Sequence, residues 1–264
     1  MLAQTRQAEI LFAVNKQGAA KVRELAELLA VSEMTVRRDI DALAEQGLLD
    51  KVHGGATSLA SSSSTEPTFS SKALRESSTK DMIARNALKY VEPGMAIALS
   101  GGTTTHALAR LLVDVPGITV ITNSIPAADT LHTFGRSDQT VVLTGGMRTN
   151  SDALVGTVVV NTMSSLHVDV LFMGVYGMSK DAGFTTPNLI EAETNQALIR
   201  STRSLIVLAD HTKWNTVGLS TIASLSQVSV LISDNKLPID AREVLRENNV
   251  ELVLATSLAS DVSL

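Results

Sequence analysis

The sequence predicts an α/β domain with a mostly parallel sheet, preceded by a small winged helix-turn-helix domain. Two observations carry this. Seven short apolar runs alternate with amphipathic segments after about residue 79, as strands and helices do in a parallel sheet covered on both faces. Ahead of them, three helical segments and a glycine-tipped hairpin fit into fewer than 60 residues. The serine-rich stretch "SLASSSSTEPTF", from Ser58 to Phe69, interrupts all periodicity and cannot bury a core. The expected division is therefore a winged helix-turn-helix head over 1–57, a Ser-rich linker over 58–78 and an α/β domain over 79–264.

In the head, helices are expected at about Gln4 to Lys16, at Val22 to Leu29 and in "VSEMTVRRDIDALAEQG", from Val31 to Gly47. The last of these has Ser32 as N-cap, one stripe of Val36, Ile40 and Leu43, and Gly47 as stop. With that stripe buried, Met34, Arg37, Arg38 and Asp41 fall on or near the opposite side, because successive residues turn by about 100°. The short "AVS" turn between the last two helices is the spacing of a helix-turn-helix. In "GLLDKVHGGA", a short strand leads to His53, Gly54 and Gly55, which allow the tight reversal of a wing.

Charge narrows the partners. The chain of 264 residues carries a formal net charge of −5, and its first 57 residues hold seven Lys/Arg against eight Asp/Glu. Any contact with nucleic acid is thus local. There is no cysteine, so disulfides and thiolate metal sites are excluded, which fits a reducing cytoplasm. No apolar stretch reaches the roughly 18 residues of a membrane span, and the five histidines have no metal-ligand spacing. The expectation is a cytoplasmic protein with no membrane, metal or cofactor requirement.

The apolar runs of the larger domain are "MAIALS", "ITVIT", "TVVLT", "VDVLFMG", "SLIVLA", "VSVLIS" and "VELVLA". Small or polar residues follow each of the first five, and ligands of such sheets sit beyond the carboxyl ends of the strands. The first loop, "SGGTTTHAL", combines Ser100, Gly101, Gly102, Thr103, Thr104 and Thr105 at the start of a helix. Backbone N–H groups, hydroxyls and the positive helix end suit a phosphate there. A structural turn with a threonine cap fits the same residues. The loop lacks the Gly-Lys-Ser/Thr of a Walker loop and the Gly-x-Gly-x-x-Gly of a dinucleotide fold. Lys213 in "ADHTKWN" offers a cation, and Trp214 beside it fits a hydrophobic cover better than a stacking platform.

"VSEMTVRRDIDAL" followed by "GLLDKVHGGA" resembles the amino-terminal signature of the DeoR family of bacterial transcription regulators. That resemblance implies double-stranded operator DNA as partner. It places Arg37 and Arg38 at bases or phosphates, Ser32, Met34 and Thr35 at the helix start, and Lys51, His53 and Gly54 on the wing. Asp39 is expected to orient an arginine rather than meet DNA. Each head reads only a few base pairs, so a homo-oligomer, dimer or tetramer, is expected.

The loops "GGTTT", "TNS", "LTGG", "LVG", "GFTTPNLIEAE" and "ADHTKW" are similar to those of the DeoR sensor domain, itself related to ribose-5-phosphate isomerase. The resemblance implies a small phosphorylated sugar effector, with Asn123, Ser124, Gly145, Gly146, Arg148, Tyr176, Glu193 and Lys213 joining the first loop around it. An internal Arg148–Asp152 pair is an alternative use of that arginine. Three positions depart from the family pattern. Ser100 stands where many members have aspartate, Tyr176 interrupts their Gly-Ala-Asp-Gly, and Asn195 stands in place of a frequent lysine. In the related isomerases the position of Tyr176 bears a catalytic carboxylate, and a phenol, with an ordinary pKa of about 10, is a poor base near neutral pH. The expected function is a repressor of a carbohydrate catabolic operon released by its effector. The alternatives are an activator with the same parts or a sugar-phosphate isomerase with an accessory head.

Overall fold

In the computed structural model, residues 2–17, 19–46, 48–52, 54–57, 69–74 and 76–256 are described. Gly47, His53 and the serine-rich residues 58–68 lie outside them. The chain divides into two compact units, Met1–Ser71 and Lys72–Leu264.

The first unit contains α1 (Ala3–Gln17), β1 (Ala19–Lys21), α2 (Val22–Leu29), α3 (Glu33–Glu45), β2 (Asp50–Val52) and β3 (Gly55–Thr57). Its core is the set of apolar positions that the helical spacing selects: Ile10, Val14, Leu25, Val36, Ile40 and Leu43 are each at most 2% exposed. Leu48 and Leu49, expected in the wing strand, are instead buried just ahead of β2 and join that core. Strand β1 was not legible in "AAK", which has no strand-forming residue. It exists because β3 pairs with it on one side and with β2 on the other, giving an antiparallel order β1-β3-β2.

Within the expected linker, α4 (Phe69–Leu74) spans the division between the units and α5 (Ser77–Leu88) begins as the first full helix of the second. There follow β4 (Ala96–Leu99), α6 (Thr103–Leu112), β5 (Thr119–Thr122), α7 (Ile125–Phe134), β6 (Thr140–Leu143), β7 (Met147–Arg148) and β8 (Leu154–Val155). Next come α8 (Thr157–Met163), β9 (Val168–Gly174), β10 (Gly177–Ser179), β11 (Gly183–Thr186), α9 (Leu189–Arg200) and β12 (Thr202–Leu208). A 3₁₀ turn at His211–Lys213, then β13 (Ser220–Ala223), β14 (Val230–Asp234), α10 (Ile239–Glu247) and β15 (Glu251–Ala255) complete it.

The seven apolar runs are the seven strands of one sheet, ordered β15-β14-β12-β9-β4-β5-β6 with every neighbouring pair parallel. Alternation sends Ile97, Leu99, Val170, Phe172, Ile206 and Leu208 to one face, under α5, α6 and α7. Ala98, Leu171, Met173, Leu205 and Val207 go to the other. Burial on both faces is why these strands read as continuous apolar runs. The chain builds β4, β5 and β6 outward to one edge and then returns to the far side of β4 with β9. The switch point therefore lies between β4 and β9, where open parallel sheets bind ligands.

The packing of α6 on α7 has a pH consequence. His106 Nε2 lies 3.0 Å from Thr130 Oγ1. Burial first, and Arg110 second, hold its pKa below the ordinary value of 6.5. A depressed histidine is neutral in the fold but takes up a proton more readily when unfolded, so stability falls as pH drops from 6.5 toward the lower folded value. Melting temperatures between pH 8 and 5 test this: His106→Gln, which keeps a polar partner for Thr130, should show a shallower acid decline than the wild type.

Candidate DNA interface and effector site

Helix α3 starts as its sequence dictates. Ser32 Oγ accepts the Thr35 N–H at 3.2 Å and lies 2.9 Å from Thr35 Oγ1. The buried stripe of Val36, Ile40 and Leu43 turns Met34, Arg37 and Arg38 to solvent, and Met34 is 62% exposed. The two arginines differ. Arg37 Nη2 reaches Glu33 Oε2 at 3.3 Å, an exposed i,i+4 pair worth only a few tenths of a kcal/mol. Arg38 makes no hydrogen bond or ion pair among the described residues. Asp39 does orient an arginine, but it is Arg6 of α1: its buried carboxylate binds the Arg6 guanidinium and accepts from Gln7 Nε2 at 3.4 Å, tying α1 to α3. On the wing, Lys51 Nζ lies 2.5 Å from Asp41 Oδ1, so this exposed cation already has a local partner. Gly54, with φ of +80°, turns β2 into β3, a backbone conformation that a side chain disfavours.

In the second unit, the loops after β6, β5, β4, β9 and β12 follow five adjacent strands in that spatial order. They carry Gly145, Gly146 and Arg148; Asn123 and Ser124; Ser100 to Thr105; Tyr176; and Lys213, respectively. Several of these side chains are committed to the backbone. Ser100 Oγ accepts the Gly174 N–H at 3.0 Å, joining β4 to β9 across the switch point. Asn123 Oδ1 accepts the Gly101 N–H and its Nδ2 donates to Leu154 O, both at 2.8 Å. Thr105, fully buried, donates toward Ser100 O and Gly102 O, at 2.7 and 2.9 Å. Ser124 caps α7. Through these bonds the four side chains shape the loops around the switch point. Gly101 is held so close that a Cβ there would lie 2.5 Å from that of Ala153, leaving no room for a side chain.

What remains open at the switch point is the start of α6. Its N-cap, Gly102, supplies no side-chain cap, unlike Ser124 of α7 or Asn188 of α9. Thr103 and Thr104 stand in its first turn, and the Thr104 side chain, 7% exposed, makes no hydrogen bond within the described residues. Lys213 sits in the 3₁₀ turn beyond β12, capped by Asp210, which accepts the Thr212 N–H at 3.0 Å. Sequence reasoning missed the second brace of this turn: buried Asp234 accepts the His211 N–H at 2.7 Å, and its other oxygen lies 2.9 Å from His211 Nδ1. The signal was an aspartate ending the strand run "VLISD". Arg148 is paired with Asp152, Nε to Oδ1 at 2.8 Å. Trp214 is buried in the core, as a cover. Glu193 is on the exposed side of α9, outside the five loops.

Comparison with known proteins decides the family. Residues 6–62 match the DeoR-like helix-turn-helix domain and residues 75–235 match the DeoR C terminal sensor domain. The chain belongs to the DeoR family. It is 34% identical to the HTH-type transcriptional regulator GolR of Listeria innocua, over 88% of this chain and 91% of that one. It is 30% identical to the glycerol-3-phosphate regulon repressor of Escherichia coli, over 93% of this chain and 96% of the relative. Among solved structures, a probable sor operon regulator from Shigella flexneri covers 65% of this chain and 89% of its own at a TM-score of 0.41 and 12% identity. Ribose 5-phosphate isomerase A from Methanocaldococcus jannaschii covers 53% and 55% at 0.39 and 17%. This DeoR-family chain is thus a transcriptional regulator whose head acts on DNA. Among the described residues, no helix is long and apolar enough to cross a membrane.

Proposed function

We propose that this DeoR-family regulator represses a carbohydrate catabolic operon and releases its operator when a small phosphorylated sugar occupies the sensor domain. The observation that carries the reading is the uncapped start of α6 at the switch point, beside Thr103 and Thr104. Unpaired first-turn N–H groups and the helix dipole favour a phosphate there. Lys213, two strands away at the end of β12, adds a cation on the same edge of the sheet. The name of the Escherichia coli glycerol-3-phosphate regulon repressor accords with a phosphorylated small molecule. A thermal-shift screen against sugar phosphates tests it. A ligand at 100 times its Kd stabilises the folded state by about 2.7 kcal/mol, or roughly 5–10 °C for a domain of this size. A panel that leaves the melting temperature unchanged rejects the reading.

An isomerase would need a base at the reacting carbon, and this chain has Tyr176 where the related enzymes bear a carboxylate, with Glu193 turned to solvent. The purified protein should therefore not isomerise pentose or amino-sugar phosphates at an enzyme-like rate. Turnover that disappears in Glu193→Gln would establish the enzyme instead.

A further inference from the structure

Most of the first turn of α3 is already engaged. Glu33 pairs with Arg37, and Thr35 Oγ1 lies 2.9 Å from Ser32 Oγ. Between them stands Met34, 62% exposed and outside the apolar core of its unit. A single exposed apolar side chain is ordinary on a protein surface, so what marks Met34 is its place. At spacings of three and four residues it shares the outward face of α3 with Arg37 and Arg38, one turn further on. Helix-turn-helix proteins bring the N-terminal residues of the second helix against base edges in the major groove.

We propose that Met34 reads the C5-methyl group of a thymine in the operator, and so sets a base preference that neither arginine supplies. The inference rests on α3 being the element that enters the groove. The chemistry of the side chain selects the base. A thioether donates no hydrogen bond and accepts only weakly, so it does not distinguish bases by their donor and acceptor patterns. The thymine methyl is the apolar feature that base edges present in the major groove, and an unbranched, polarizable side chain adapts its shape to close on it. The surroundings select nucleic acid over an apolar protein surface as the occupant. Arg37 and Arg38 flank Met34 on the same exposed face, and Arg38 has no ion pair among the described residues.

The test starts from a duplex fragment that the full wild-type chain selects from a random pool. Replacing its thymines one at a time with deoxyuracil removes the methyl group alone. At one thymine, or at two related by symmetry, the wild type should lose affinity about four-fold, the equivalent of one buried carbon. Met34→Ala should bind the unmodified fragment more weakly by a similar factor and be indifferent to that replacement. Met34→Gln should move the preference at the same position from thymine to adenine, which glutamine engages through N6 and N7. Neither variant removes a charge, so the salt dependence of binding should stay that of the wild type. Met34 lies outside the core, and unchanged melting temperatures should accompany both substitutions. Arg38→Ala separates the proposal from the reading it rests on. If Arg38→Ala weakens binding while every thymine replacement affects the wild type and Met34→Ala alike, or if Met34→Gln keeps the thymine preference, α3 meets DNA but Met34 does not read the methyl, and the proposal is overturned. If Arg38→Ala, Met34→Ala and Met34→Gln all bind as the wild type does, α3 is not at the bases and the two fall together.

Discussion

Replacing Arg38 with alanine should weaken operator binding by about 1–3 kcal/mol if its guanidinium forks onto a base, roughly 5- to 150-fold. Arg38 is exposed on α3, opposite the buried stripe, and makes no ion pair among the described residues. Nothing local has to be broken before it meets DNA. Arg37→Ala should weaken binding somewhat less for the same contact, because Arg37 must first leave Glu33, although that exposed pair offsets only a few tenths of a kcal/mol. The measurement is binding to a fragment selected by the wild type from a random pool, repeated across salt concentrations. If either arginine binds a phosphate, its removal lowers the slope of log K against log salt by about 0.9; if it binds a base, its removal changes sequence preference. Unchanged affinity in both single variants would remove α3 from the interface.

The second large effect is on induction. Lys213→Ala removes a cation from the 3₁₀ turn braced by Asp210 and Asp234, and Thr104→Val removes a buried hydroxyl from the first turn of α6. Neither residue belongs to the DNA-binding unit, so operator affinity without effector should stay near that of the wild type. An effector releases DNA only to the extent that it binds the low-affinity conformation better. Removing a charge-assisted hydrogen bond to phosphate, about 1.5–3 kcal/mol, should raise the effector concentration needed for release roughly 10- to 150-fold. Both variants should then behave as non-inducible repressors. Operator titrations with the sugar phosphate found by thermal shift decide this. Release at wild-type effector concentrations in both variants would mean that the phosphate is held elsewhere.

The sequence by itself determined a great deal of this protein. The stripe of Val36, Ile40 and Leu43 already placed Arg37 and Arg38 on the outer face of α3, because helical spacing and an N-cap are local properties. The seven apolar runs appear as the seven strands of one sheet, since burial on both faces leaves an uninterrupted apolar signature. Their polar loops marked the carboxyl edge of that sheet, the edge at which parallel sheets bind ligands.

Tertiary structure alone decided which polar side chains are available. Asn123 and Ser100 look in sequence like ligand-binding groups, yet they bond backbone atoms 22 to 74 residues away in the chain. Asp39 stands next to Arg38 but binds Arg6, 33 residues earlier. The alanine strand β1 likewise exists only once distant segments meet. Periodicity encodes which way a side chain points, but a hydrogen bond depends on what the rest of the chain places in front of it.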